Sequence, residues 1–281
     1  MEPKNIKENV KAKYANIARQ GASCCGSTGS CCGGSERVQI ISKEIGYSEA
    51  ELGMVPDGSN LGLGCGNPLA LSSIREGDTV LDLGSGAGFD CFLAASRVGK
   101  SGKVIGVDMT LEMIEKAREN AVKGHYENVE FRFGEIEKLP VNDCSVDNVI
   151  SNCVINLSPD KGKVFQEAFR VLRPGGNVMI SDIVLLRHLP DFIRESILAY
   201  VGCVSGAIHR NEYLKMLEAA GFQDVKVMDE SPFSVEFVLN DPTVKAIIEE
   251  SGIPSERVKE IAGSVVSIKV YAAKPEGKGV S

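Results

Sequence analysis

The stretch Thr79-Val-Leu-Asp-Leu-Gly-Ser-Gly-Ala-Gly-Phe-Asp90 constrains the fold more than any other part of the chain. Val80, Leu81 and Leu83 spell a short buried strand. Gly84, Gly86 and Gly88 follow at once, a spacing that forces a turn tighter than side chains with a Cβ allow. Phe89 to Ala95 then starts a helix. A strand, a glycine turn and a helix in that order build a nucleotide-type pocket at the carboxyl end of the strand.

From Thr79 onward the pattern alternates. Strands are expected at Val104–Asp108, Val129–Phe133, Val146–Val154 and Asn177–Leu185. Helices are expected from Thr110 to Val122 and from Pro159 to Leu172, the second stopped by Pro174-Gly-Gly176. Two further strands, Asp224–Met228 and Val265–Ala273, follow helical patterns at Leu189–Val204 and Arg210–Ala220. This rhythm predicts an α/β fold, a doubly wound, mostly parallel, seven-stranded Rossmann-like sheet. Three parts are expected: residues 1–70, helical and Cys-rich; residues 71–185, the pocket-bearing core; and residues 186–281, a helical region with the last two strands, in which Pro232–Gly263 reads as an insertion.

The first part carries a helical face at Ile6, Val10, Tyr14 and Ile17, and a second helix over Glu36–Ile45. Between them Gly21–Ser35 has no periodicity and holds two vicinal thiol pairs, Cys24-Cys25 and Cys31-Cys32. Ser48 to Glu51 fits a capping box. Leu61 to Pro68 is irregular, with Cys65 between Gly64 and Gly66, where close backbone approach to a ligand is expected.

Net charge is −7, which argues against a general grip on nucleic acid. No run approaches the ~20 apolar residues that cross a membrane, and the first residues lack the apolar core of a secretory leader. A cytoplasmic, reducing setting is therefore expected. In that setting nine cysteines, an odd number, do not read as a disulfide framework. Metal binding, redox chemistry and core packing remain open for them. With only three histidines, the chemistry is not expected to rest on a histidine base.

A dinucleotide fingerprint needs Gly-x-Gly-x-x-Gly, and here the third glycine comes one residue early. The pattern Asp82-x-Gly84-x-Gly86-x-Gly88 instead resembles the class I S-adenosylmethionine-dependent methyltransferases. The resemblance implies a methyl-donor site in which Asp82 and the three glycines approach the amino-acid part. Asp108 takes the ribose hydroxyls, Met109 flanks the adenine, and Glu135, Ile136 and Glu137 read the adenine edge. Asn152 is a further candidate contact.

Cys153 ends the fourth strand, facing the crevice where an acceptor binds. A thiol there suits a soft, thiophilic acceptor. The contexts Gly64-Cys-Gly66, Ser151-Asn-Cys-Val-Ile-Asn-Leu157 and Gly202-Cys-Val-Ser-Gly-Ala207 narrow the resemblance to arsenite S-adenosylmethionine methyltransferases. It implies methyl transfer to trivalent arsenic held by Cys65, Cys153 and Cys203, in arsenic detoxification. It also implies arsenite and methylated arsenicals as partners, no catalytic metal ion, and a disulfide between Cys65 and one N-terminal cysteine. Any of Cys24, Cys25, Cys31 and Cys32 qualifies, with Cys31 or Cys32 preferred, and an external thiol of thioredoxin or glutathione type would reduce it again. The rival readings are a small-molecule C- or O-methyltransferase with packing cysteines, and a thiol-based metalloid binder without turnover. Cys91 reads as core, Cys144 as incidental, and the vicinal pairs could also form a separate metal clip.

Overall fold

The computed structural model describes residues 3–20, 34–189, 206–232 and 263–277 of the 281. In these residues one seven-stranded sheet runs in the order β3-β2-β1-β4-β5-β7-β6. Its strands are β1 (Thr79–Leu83), β2 (Lys103–Asp108), β3 (Val129–Phe133), β4 (Val146–Asn152), β5 (Leu172–Leu185), β6 (Gln223–Pro232) and β7 (Val265–Ala273). The first five pair in parallel, while β7 runs antiparallel to both β5 and β6. The sheet is thus mostly parallel and doubly wound, as the alternation predicts.

The central strands are buried almost throughout because helices cover both faces of the sheet. On one side Phe92, Val98, Val104, Ile114 and Phe131 pack together around α4 (Phe89–Val98) and α5 (Leu111–Lys123). On the other, Phe165 and Val171 of α6 (Lys161–Val171) and Tyr213 of α7 (Arg210–Ala219) meet β4, β5 and β7. Each such fully buried large side chain contributes about 1.5–3 kcal/mol. Asp160 caps α6 by accepting the Lys163 N–H. The N-terminal segment adds α1 (Pro3–Gln20), α2 (Gly34–Glu44) and α3 (Glu49–Met54), and the Ser48–Glu51 capping box opens α3.

Several boundaries differ from expectation; β6, for one, runs on to Pro232 where Met228 was the expected end. β4 stops at Asn152 rather than Val154, because Cys153 takes a left-handed backbone (φ 58°) that no strand continues. β5 begins at Leu172 rather than Asn177: Pro174-Gly-Gly176 ends α6 but is then absorbed into the strand. The expected helix Leu189–Val204 and the Pro232–Gly263 insertion lie largely outside the described residues, as do Cys24, Cys25, Cys31, Cys32 and Cys203. No helix among the described residues is long and apolar enough to cross a membrane.

Candidate active site at the carboxyl edge of the sheet

Strand order reverses between β1 and β4, and a ligand crevice opens at that switch point. It holds about 1080 Å³, part of it open to solvent. Its floor is the glycine turn. Gly84 and Ser85 donate their N–H groups to Val107 O, which folds the turn back over β2. The three glycines serve different ends. A Cβ at Gly84 would sit 2.4 Å from Val154 Cγ2, and one at Gly88 would sit 2.7 Å from the Phe131 ring. Those two glycines therefore admit protein side chains. At Gly86 (φ 51°) a Cβ would meet open space, so there a side chain is excluded by backbone conformation and not by a packed neighbour; Gly84 and Gly86 both line the crevice. Around Cys65, Gly64 lines the crevice and also makes room for the Asn152 amide, and Gly66 makes room for Ser181.

Three carboxylates surround this floor. Asp108 ends β2, with Oδ2 accepting the Gly86 N–H at 3.0 Å and Oδ1 the Thr110 N–H at 2.8 Å. Asp82 accepts from the Cys91 thiol at 3.2 Å, so Cys91 is a core residue that also touches the donor pocket's base. Asp90, on the first turn of α4, accepts the Tyr47 hydroxyl at 2.6 Å and the Asn152 amide at 3.0 Å. Burial raises the pKa of all three; it takes Asp90 to about 6 and lifts Asp82 well above the carboxylate range, with Asp90 and Asp108 adding like charge. Buried carboxylates packed this closely favour a cationic ligand. Ser85 Oγ, buried and lining the crevice, has no hydrogen-bond partner among the described residues. Open space at Gly86, an orphaned hydroxyl and an anionic floor fit a sulfonium nucleoside such as S-adenosylmethionine.

Met109, Ile136 and Glu137 line the crevice as expected of them, but Glu135 turns away toward α1. There Lys7 bridges Glu135 at 2.9 Å and Glu137 at 3.0 Å, and Lys11 reaches Glu135 at 3.3 Å. Lys7 holds the Glu135 carboxyl below its usual range. Tyr47 and Asp90 were not legible as site residues, since nothing in the sequence ties a Tyr before a capping box to an Asp beyond the glycines.

Next to the donor cavity lies a second, buried cluster. Cys65 Sγ, Cys153 Sγ and a carboxylate oxygen of Asp182 all lie within 4.8 Å of one another. Cys65 and Cys153 are thiols, 6% and 7% exposed, and pack with Ile6 and Val10 of α1. Cys153 is fixed by its N–H, which donates to Ser181 O at 2.8 Å. Cys65 is fixed by Asn152 Oδ1, which accepts its N–H at 3.1 Å, and by Ser267 Oγ, which donates to its carbonyl at 2.8 Å. Asp182 was missed by sequence reasoning. The available signal was two adjacent polar residues, Ser181-Asp182, inside an otherwise apolar strand whose two faces are both buried. Burial pushes the Asp182 carboxyl up to about 6, against the Ile183 N–H and Tyr213 hydroxyl that favour its charge. Cys144, by contrast, is exposed in a turn with Lys274 3.7 Å from its sulfur, and His209 caps α7.

Sequence and structure comparisons agree with this geometry. A family model described as a methyltransferase domain matches residues 74–221. The arsenite methyltransferase of Halobacterium salinarum is 51% identical over 243 residues, which are 84% of this chain and 62% of that protein. The human arsenite methyltransferase is 41% identical over 169 residues, 57% of this chain and 44% of that protein. The chain thus spans about three fifths, or less, of the length of these curated relatives. The crystal structure of CrArsM, an arsenic (III) S-adenosylmethionine methyltransferase from Chlamydomonas reinhardtii, superimposes with a TM-score of 0.61 at 31% identity, covering 86% of this chain and 74% of that one. With a donor crevice and buried thiols beside it, and with relatives of that name over most of its length, the chain belongs to the arsenite methyltransferase family of S-adenosylmethionine-dependent methyltransferases.

Proposed function

We propose that this chain transfers a methyl group from S-adenosylmethionine to trivalent arsenic held by cysteine thiolates. The observation that carries this reading is the Cys65–Cys153 pair, buried within 4.8 Å of each other and of Asp182, at the wall of the donor crevice. The bound donor supplies an electrophilic methyl carbon on a sulfonium. The carboxylates Asp82, Asp90 and Asp108 favour its positive charge, and Gly86 gives it room. Cys65 and Cys153, joined by Cys203, hold arsenic so that its lone pair points at that carbon. The lone pair forms the As–C bond as the C–S bond breaks, and the leaving group departs as a neutral thioether. No proton is removed at this step, so no histidine base is needed. Orientation and exclusion of water, by Ile6 and Val10 among others, supply the rate enhancement.

Methylation oxidises arsenic by two electrons. In this reading two thiols return them by closing to a disulfide and releasing two protons, with Cys65 pairing with Cys31 or Cys32. An external thiol of thioredoxin or glutathione type then reduces the disulfide. Residues 71–185 form the donor-binding core and also contribute Cys153 and Asp182, while the segments before and after them bring Cys65 and Cys203 to the acceptor, in the cytoplasm.

Arsenic speciation tests the reading. Reduced protein with donor and arsenite should yield methylated arsenic, and Cys153→Ser or Cys203→Ser should abolish it while donor binding stays intact. Absence of any methylated product from the unmodified chain would overturn the assignment. Loss of donor binding in both serine variants would instead make these cysteines structural.

A further inference from the structure

Asp182 sits in the thiol pocket, yet the methyl-transfer step has no use for a carboxylate. It is fully buried on β5 and rigidly held: Oδ1 accepts the Asn156 amide at 2.8 Å and the Ile183 N–H at 2.9 Å, and Oδ2 accepts the Tyr213 hydroxyl at 3.0 Å. A carboxylate offers about four acceptor positions, so these three donors leave capacity for one more. Two polar atoms nearby, Asn156 Oδ1 and Ser181 Oγ, are buried with no hydrogen-bond partner among the described residues. The Asn156 side chain bonds Asp182 directly, and Ser181 is its neighbour on the strand, with its carbonyl 3.6 Å from Cys65 Sγ. A pocket for sulfur-bound arsenic alone would be lined by apolar groups. This one has a polar wall facing two thiols.

We propose that Asp182 is a specificity residue of the acceptor pocket, accepting a hydrogen bond from the hydroxyl that stays on arsenic once Cys65 and Cys153 have bound it. The inference rests on arsenite being the acceptor. Arsenite carries three hydroxyls. Two thiols displace two of them: two As–S bonds form, two As–O bonds break, and each thiol proton leaves with a departing hydroxide as water, with no change in oxidation state. One As–OH remains and donates to Asp182. If Cys203 then displaces that hydroxyl, the Asp182 contact belongs to the two-thiolate state before it. Methylarsonous acid carries only two hydroxyls, so the same two thiols leave it none, and Asp182 has nothing to accept. The carboxylate therefore favours the unmethylated substrate over the monomethylated one.

The test is kcat/KM for arsenite and for methylarsonous acid, measured on one preparation of full-length Asp182→Asn, with donor affinity by calorimetry. The ratio of the two constants does not depend on how much of the variant is folded. Loss of a charge-assisted hydrogen bond should lower the arsenite-to-methylarsonous ratio by about tenfold or more, with donor affinity unchanged. Equal loss on both substrates, or an unmoved ratio, overturns the proposal. Should Asp182→Asn fail to fold, Tyr213→Phe decides: it removes a competing donor from Oδ2, strengthens the bond to the arsenic hydroxyl and raises the ratio. A ratio that does not rise there overturns the proposal as well. A wild-type chain that methylates neither arsenical removes the functional reading itself, and this inference with it.

Discussion

The side-chain oxygen of Asn152 accepts the backbone N–H of Cys65 at 3.1 Å, while the amide nitrogen of the same side chain lies 3.0 Å from Asp90 Oδ2 and 2.8 Å from Gly66 O. One residue thus ties the thiol loop to the donor floor. Asn152→Ala leaves several buried partners unsatisfied, which costs about 1–3 kcal/mol for each group so exposed to an apolar surround. Methylation should fall by more than tenfold and donor affinity by several-fold in the same variant. Calorimetry with the donor, beside arsenic speciation, checks this; a variant losing only one of the two would show that the halves are not linked through Asn152.

The glycines of the turn should separate by role. Gly84→Ala drives a methyl into Val154, 2.4 Å away, at a left-handed backbone position, and should unfold or strongly destabilise the chain. Gly86→Ala meets no atom and carries only the backbone penalty, on the order of 1 kcal/mol. It should stay folded and lose donor affinity. Thermal melts and donor titrations of the two variants would expose the error if Gly86→Ala bound donor as the parent does.

Donor affinity should rise with pH. Asp90 titrates near 6 in the absence of ligand, and the Asp82 carboxyl is raised as well, because burial opposes their charge. A cationic donor favours the ionised forms and lowers both values. Protons are therefore released on binding, and affinity falls as pH drops through about 6, by at most about tenfold per unit for each group. Calorimetry between pH 5 and 8, in buffers of different ionisation enthalpy, reads both the affinity and the proton release. A dissociation constant that is flat over this range contradicts the account.

The α1 latch is a weaker effect. Lys7 and Lys11 reach across to the half-exposed Glu135, where such pairs contribute about 0–1 kcal/mol, and Lys7 also meets the buried Glu137. Lys7→Ala should leave the melting temperature nearly unchanged but speed amide exchange in α1, and raise KM for arsenite as the cover over Cys65 and Cys153 loosens. Exchange rates equal to the parent's would mean that apolar packing by Ile6 and Val10 alone holds the helix.

What the sequence revealed and what it hid have a common physical cause. The glycine turn and the alternating strands were legible because local geometry demands those residue types at those spacings, and Asp108 through the family resemblance that the turn carries. Cys153 was legible by its place at a strand end, although its left-handed backbone was not. Asp182, Tyr47 and Asp90 were hidden because their meaning arises only from pairing across the fold: Tyr47 and Asp90 are 43 residues apart, and Tyr213 and Asp182 are 31 apart. The packing role of Gly64 and Gly66 was hidden for the same reason, since the side chains that need their space, Asn152 and Ser181, come from strands far along the chain.

Ser267 donates to the carbonyl of Cys65 across 202 residues of sequence. The Cys65 loop is therefore clasped from two strands at once, by Asn152 at the end of β4 and by Ser267 of β7, and its seating is complete only when β7 has taken its place beside β5.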